Sequence, residues 1–357
     1  MISRCMKCIL LLWSGISMAG AANSPEFVLS PVAEGVYAAI RSEPPGLTFV
    51  SNSVFIIGDD DVVVVDTGAG PTHARALITA LKKLTPKPVK YVINTHWHDD
   101  HMLGNAAFRE AYPGVEFIGH ANSITEMQTT GAANRKQLLA EGPAFADEIR
   151  QALANGVNLA GKPISHEERL SFQSDLVWAD RYFAEAPRTA VIAPTMTLET
   201  ELRLQRGARE IVVRHLGRAH TAADIVVHLP KENIVITGDL VVWPVPLFGT
   251  TSFPIDYIAT LEALLLLKPA TIIPGHGPVM RDTAYLAKML AVLKSIEMQV
   301  RAAVARGESR EQIRKSVNLT THRESFAGGS VLLGTLFDSY VAGPGVARAY
   351  MQVSDKQ

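Results

Sequence analysis

The run His96-Trp97-His98-Asp99-Asp100-His101 sets the tightest limit on how this chain can fold. It packs three imidazoles and two carboxylates into one short segment, directly after the strand-like stretch 89–94. Buried without an ion, such groups would leave several donors and acceptors unsatisfied. On a helix, His96 and His98 would point about 200° apart and could not share a ligand. On a tight loop alternate side chains can converge, and neutral imidazole and carboxylate are donors that zinc accepts. The chain holds only 11 histidines among 357 residues, so a cluster this dense is not what a random polar turn supplies.

Three further signals lie downstream. Gly217-Arg218-Ala219-His220-Thr221 leads into the strand-like stretch 224–229. Ile234-Val235-Ile236-Thr237-Gly238-Asp239 reads as an apolar strand ending in an acid. Ile272-Ile273-Pro274-Gly275-His276-Gly277-Pro278 reads as another, ending in a histidine between glycines. Upstream, Val62-Val63-Val64-Val65-Asp66-Thr67-Gly68 has the same form. In open α/β architectures the carboxyl edge of the strands is where sites are built.

On these residues the sequence resembles the metallo-β-lactamase fold superfamily of metallohydrolases. The shared pattern is an Asp after a strand, then HxHxDH, then a distant His, Asp and His, and it extends over roughly residues 30–290. The resemblance implies two adjacent metal sites. His96, His98 and His220 would hold the first ion, and Asp100, His101 and His276 the second. Asp239 would bridge both. Asp66 matches an aspartate that supports the metal loop and is usually not a ligand. The resemblance also implies an αββα sandwich, where the alternation of strands and helices alone gives only α/β.

Such a centre has a defined chemistry. A water shared between two cations falls in pKa from ~16 toward ~7, which supplies a bridging hydroxide at neutral pH. One ion polarises a carbonyl or phosphoryl oxygen while the other holds the leaving group. Asp100 is the candidate catalytic group besides the ions, steering the hydroxide or accepting its proton. The donor set suits two zinc ions, with iron or manganese as alternatives. The diiron flavoprotein branch has Glu where this chain has His98, which favours zinc hydrolysis over redox chemistry. The branch with a single iron that oxidises persulfides shares HxHxDH and stays open. The best-known zinc β-lactamases carry Cys, or no acidic ligand, at the place of Asp239. A bridging Asp matches glyoxalase-II-like and quinoprotein-associated hydrolases instead.

The amino terminus reads as a secretory leader. Arg4 and Lys7 precede a largely apolar run over residues 8–18, and Ala19-Gly20-Ala21 forms a small-x-small cleavage site. Both cysteines, Cys5 and Cys8, lie inside it, so residues 22–357 carry no disulfide. The expected compartment is the periplasm or the exterior. Setting Arg4 and Lys7 aside from the 34 basic residues leaves 32 against 35 acidic, a formal charge of −3. That balance lacks the positive footprint of a nucleic-acid binder. It argues against the RNA-processing nucleases that share the HxHxDH loop. No apolar run beyond the leader reaches the roughly 18 residues that a membrane span needs.

Strands are expected at 35–41, 49–57, 61–66, 90–94 and 115–119, with a helix over 71–84 between them. A second set is expected near 197–204, 209–216, 224–229, 233–237 and 271–274, with a helix near 256–267. The main domain is drawn at 22–290. A helical insertion at about 121–185, broken at Gly142-Pro143 and Gly161-Lys162-Pro163, would cap the site, meet a second copy of the chain, or be padding. A helix over 284–306 carries an apolar face. A C-terminal helical extension covers 291–357, with His322 and Gly328-Gly329 between helices. Trp243-Pro244-Val245-Pro246-Leu247-Phe248 and the loop 42–47 are candidate rims or flaps of the cleft, or ordinary surface loops. His120, His166, His215, His228 and Tyr257 are assigned to structure.

The function expected from these observations is periplasmic hydrolysis of a small ester, lactone or thioester. The alternatives are a metallo-β-lactamase acting on β-lactam amides and a mononuclear iron sulfur dioxygenase. The partner is a small molecule, with association into a homo-oligomer left open.

Overall fold

The computed structural model describes residues 26–41 and 50–354. The leader with its cleavage site, and the loop 42–47, lie outside the described residues. The first sheet is built from β1 (Val28–Ala33), β2 (Val36–Ile40), β3 (Ser53–Ile57), β4 (Val62–Val65), β5 (Val89–Ile93), β6 (Glu116–His120) and β7 (Met196–Leu198), in that spatial order. The first four strands pair antiparallel and the remainder parallel. The second sheet holds β8 (Glu201–Arg206), β9 (Arg209–Arg214), β10 (Val226–Leu229), β11 (Ile234–Val242) and β12 (Thr271–His276), with only β11 and β12 parallel.

Four consecutive valines in β4 show why this is a sandwich. Val63 and Val65 point between the sheets, where they meet Ile211, Val213, Ile236 and Ile273 of the second sheet. Val62 and Val64 point outward onto Leu77 and Leu81 of α1 (Pro71–Leu84) and Phe108 of α3 (Asn105–Ala111), which lies just beyond the single turn α2 (Asp99–Met102). A strand buried on both faces reads as an unbroken apolar run, not as an alternating one. The second sheet repeats the scheme. Ile234 and Ile236 face inward, while Val235 and Ile272 face α7 (Pro254–Leu266) and α8 (Ala284–Ala305). Helix, sheet, sheet and helix are thus the four layers of an αββα sandwich.

Between β6 and β7 run α4 (Asn122–Glu126), a π-helical turn (Met127–Gly131), α5 (Ala132–Asn155) and α6 (His166–Glu185). After β12 and α8 come α9 (Arg310–Ser316), α10 (Thr320–Ala327), α11 (Val331–Phe337), a second π-helical turn (Asp338–Ala342) and α12 (Gly343–Ser354). Helix α8 passes straight through residue 290, so no break in the chain separates the sandwich from the C-terminal helices. Among the described residues, no helix is long and apolar enough to cross a membrane.

Several sequence expectations need correction. The stretch 197–204 is not one strand: β7 closes the first sheet and β8 opens the second, with the chain crossing at residues 199–200. Strand β1 has no clear signal in the sequence because Pro31 interrupts its pattern, which an edge strand tolerates. Helix α5 continues through Gly142-Pro143, where Phe183 of α6 packs so closely on Gly142 that a side chain would collide with it. His322 sits inside α10, and Gly328 ends that helix in the left-handed conformation at φ 55°. Strand β11 runs on to Val242, so Asp239 lies within it and not past its end.

Candidate metal centre

The site begins with Asp66, the residue after β4, held at φ 56°. Left-handed backbone is costly for a residue with a side chain unless its surroundings fix it. Here its carboxylate does the fixing. Oδ1 accepts from the Thr95 backbone N–H at 2.8 Å. Oδ2 accepts from Thr95 Oγ1 at 2.7 Å and from His101 Nδ1 at 2.8 Å. Asp66 thereby shapes the loop after β5 and orients a histidine in the turn beyond it. It points at no shared centre of its own.

Each of four histidines has one ring nitrogen engaged and the other turned inward. His101 donates from Nδ1 to Asp66, leaving Nε2. Thr95 Oγ1, its proton already given to Asp66, accepts from His96 Nδ1 at 3.2 Å. The Leu247 carbonyl accepts from His220 Nδ1 at 3.0 Å. Thr251 Oγ1 donates to the His220 carbonyl at 3.0 Å and accepts from His98 Nε2 at 3.4 Å, leaving His98 Nδ1. Fixing the tautomer through the outer nitrogen is how proteins aim imidazole lone pairs at an ion.

The inward atoms gather into three overlapping groups whose donor atoms lie within 4.8 Å of one another: His96, His98 and His220; His96, His101 and Asp239; and Asp100, His101 and His276. His98 Nδ1 and His220 Nε2 are 3.0 Å apart. Asp239 reaches across the groups, with Oδ2 at 3.5 Å from His220 Nε2 and Oδ1 at 3.1 Å from His101 Nε2 and 3.4 Å from His276 Nε2. Asp100 Oδ2 stands 3.4 Å from His101 Nε2 and 3.1 Å from His276 Nε2.

These distances suit ion pairs, yet His96 Nε2, His101 Nε2, His276 Nε2 and Asp239 Oδ1 are buried without a hydrogen-bond partner. The approach directions do not fit donor to acceptor. Four orphaned buried atoms converging on one spot are costly unless a common cation satisfies them. The residues present therefore fit a divalent metal ion.

Electrostatics agrees. Burial pushes His96 far below its ordinary pKa, and neighbouring imidazoles add to this. Burial, then His220, brings His98 down to about 3, and burial lowers His220 as well. All three are neutral donors at physiological pH. Burial raises the Asp239 carboxyl, but His276 and His101 outweigh it and hold it at about 2. Burial likewise opposes a charge on His101, but Asp239, Asp100 and Asp66 override it and raise its pKa well above the ordinary value. This half of the site favours positive charge, and a divalent ion there would displace a proton.

Two glycines make room. A Cβ at Gly275 would fall on Asp239 Oδ1, and one at Gly238, at φ 51°, would fall on Thr95 Oγ1. Strands β11 and β12 can close around the carboxylate only because both positions lack side chains.

All seven ligand candidates from the sequence are thus brought together, with Asp66 behind them. Other residues escaped sequence reading. Thr95 and Thr251 are ordinary threonines with no motif to mark them. Asp99 accepts from Arg135 of α5, with Nε at 2.7 Å and Nη2 also bonded, and from the Tyr182 hydroxyl of α6 at 2.6 Å. Both long helices of the insertion therefore grip the metal loop. Trp97 Nε1 donates to Glu126 of α4 at 2.7 Å. The segment 243–248 borders the centre, since the Trp243 N–H donates to the His276 carbonyl at 3.1 Å and Leu247 holds His220.

Tyr257 donates to the Asp239 carbonyl at 2.8 Å. The rings of His120 and His215 lie tilted at 37° with centroids 4.1 Å apart, each held by a backbone carbonyl, and belong to none of the metal groups. His166 opens α6, and His228 sits in β10, paired with β9 and β11.

Comparison with known proteins bears on this geometry. A family described as the metallo-beta-lactamase superfamily matches residues 46–276. The linear primary-alkylsulfatase of Pseudomonas sp. (strain ATCC 19151) is 24% identical over 233 residues, covering 61% of this chain and 40% of that protein. The hydroxyacylglutathione hydrolase of Gloeobacter violaceus (strain ATCC 29082 / PCC 7421) is 42% identical over 67 residues, 18% of this chain and 25% of that protein. The chain thus spans well under half the length of these curated relatives. Among solved structures, a metallo-beta-lactamase from Pontibacter korlensis superposes with TM-score 0.53 at 19% identity, over 75% of this chain and 99% of that one. The DIM-1 metallo-beta-lactamase gives 0.51 at 16%, over 76% and 98%. At such identities these two show the shared fold.

Proposed function

The chain belongs to the metallo-beta-lactamase superfamily, and from its own site we propose that it is an exported dinuclear zinc hydrolase of a small ester, lactone or thioester. The observation that carries this reading is Asp239, whose two oxygens face the two histidine groups while Oδ1 has no hydrogen-bond partner. His96, His98 and His220 would hold one ion, Asp100, His101 and His276 the other, and Asp239 both. Bound there, the ions would bring the pKa of a shared water toward ~7 and polarise the substrate oxygen.

The chain's own residues do the remainder. Asp66, Thr95, Thr251 and the Leu247 carbonyl hold the imidazoles in their donor tautomers. Asp100 has 19% of its side chain exposed against 2% for Asp239, so it is the carboxylate of the cluster placed to take up a proton from water or pass one to a leaving alkoxide. Trp243, 40% exposed beside His276, gives the cleft an apolar edge.

A second reading, sulfate-ester hydrolysis, is supported by the alkylsulfatase relative. β-Lactam hydrolysis ranks below carboxylic ester hydrolysis. A carboxylate shared by both ions makes each a weaker electrophile, and an amide nitrogen needs more help to leave than an alkoxide or thiolate.

The test is one zinc-loaded preparation assayed with p-nitrophenyl acetate, a δ-lactone, an S-acyl thioester, an alkyl sulfate, nitrocefin and a carbapenem. The best ester, lactone or thioester should exceed both β-lactams by at least ~10-fold in kcat/KM, roughly 1.4 kcal/mol. Chelator should abolish turnover. Nitrocefin and the carbapenem outrunning every ester would make it a β-lactamase, and alkyl sulfate leading would establish the second reading.

A further inference from the structure

Ser51 and Asn52, the two residues before β3, are buried against the main chain that carries two of the candidate ligands. Ser51 Oγ donates to the Asp100 carbonyl at 2.8 Å. The Asn52 N–H donates to the Gly275 carbonyl at 2.7 Å. Asn52 Nδ2 donates to the Pro274 carbonyl at 2.9 Å and to the Gly277 carbonyl at 2.8 Å. Gly275 and Gly277 flank His276, so one short segment holds the backbone of both Asp100 and His276.

These are the two candidate ligands that the rest of the site constrains least. The rings of His96, His98, His101 and His220 are each aimed through an outer nitrogen. Among the described residues, no such bond aims the His276 ring, and no hydroxyl or backbone N–H bonds the Asp100 carboxylate. Where these two point therefore depends on where their main chain is pinned. The pinning spans both sheets: Asn52 leads into β3 of the first, and its acceptors lie in and just after β12 of the second. An asparagine suits this place because its amide offers one proton to each carbonyl. Turned over, it would set its oxygen against two carbonyl oxygens, and in the orientation observed Oδ1 has no partner.

Resting on the two-ion reading, we propose that Ser51 and Asn52 are positioning residues for one ion only, the one assigned to Asp100, His101 and His276. They hold Asp100 and His276 at a fixed separation by tying both to the start of β3. The ion assigned to His96, His98 and His220 has separate supports in Thr95, Thr251 and the Leu247 carbonyl. The affinities of the two sites are therefore set by different segments of the chain.

Titration of the metal-free full chain with zinc against a competing chelator tests this by resolving two stepwise dissociation constants. His276→Ala and His220→Ala identify which step belongs to which site. Asn52→Asp keeps the shape and removes both Nδ2 donors. It should weaken the step that His276→Ala weakens by at least ~10-fold, and leave the other within about threefold, as removing a partner behind one ligand does. Ser51→Ala should weaken the same step by a smaller factor, and it serves if the Asn52 variant folds poorly. Ser53→Ala lies in the same segment, but its buried hydroxyl has no hydrogen-bond partner, so it should change neither constant. A general loosening of the fold would weaken both steps together. Equal weakening of both steps, or no change in either, in the Asn52 and Ser51 variants overturns the proposal and leaves the two-ion reading standing. A single binding step in the unaltered protein sinks the two-ion reading, and the proposal with it.

Discussion

Asp239 is the residue on which the proposed two-ion centre turns. It is buried between six other candidate ligands, and its two oxygens face different histidines. Asp239→Asn keeps the shape but replaces a charged oxygen with an amide. Activity should fall at least ~10–100-fold, and occupancy of the second ion should drop with it. Activity assays paired with metal analysis of the purified variant check this, and full activity with both ions retained would show that Asp239 is not a ligand. Residues of this kind were legible in the sequence because their chemistry is conspicuous: histidines and acids are dense where few other roles need them. Thr95 and Thr251 were not legible. A threonine that fixes a tautomer looks like any other until its hydroxyl is seen against a ring nitrogen.

At the scale of elements, the packing of β12 against β11 decides whether Asp239 can face the histidines. A side chain at Gly275 would take the space of the Asp239 carboxylate oxygen. Gly275→Ala should displace that carboxylate at a cost of about 1–3 kcal/mol, the usual penalty for overpacking a buried site. Zinc occupancy should fall together with the midpoint of urea unfolding, and an unchanged midpoint with two ions bound would contradict this packing. The strands carrying the site were legible from their buried valine and isoleucine runs. Their sheet membership was less so. Residues 196–206 change sheets within two positions, and only the pairing of β7 with β6 reveals it. Helix α5 likewise ignores its internal Gly142-Pro143, because packing on Phe183 outweighs local propensity. The grip of α5 and α6 on Asp99 joins partners 36 and 83 residues apart, a distance no local pattern can bridge.

For the whole molecule, the sandwich brings the carboxyl ends of β4, β5, β11 and β12 to one edge, and the metal loop fills it. The insertion packs on that edge through Asp99, and the C-terminal helices lie against the outer layer of α7 and α8. Export is a separate proposal that rests on the leader alone. Expression with residues 1–21 intact should yield a periplasmic protein whose intact mass begins at or near Ala22, and a cytoplasmic chain that keeps Met1 would refute it. The central claim, a two-ion hydrolytic centre, is tested most directly by elemental analysis of gently purified protein. Six donors arranged around one carboxylate, Asp239, predict close to two metal ions per chain, mainly zinc. A single tightly held iron with little zinc would contradict the claim.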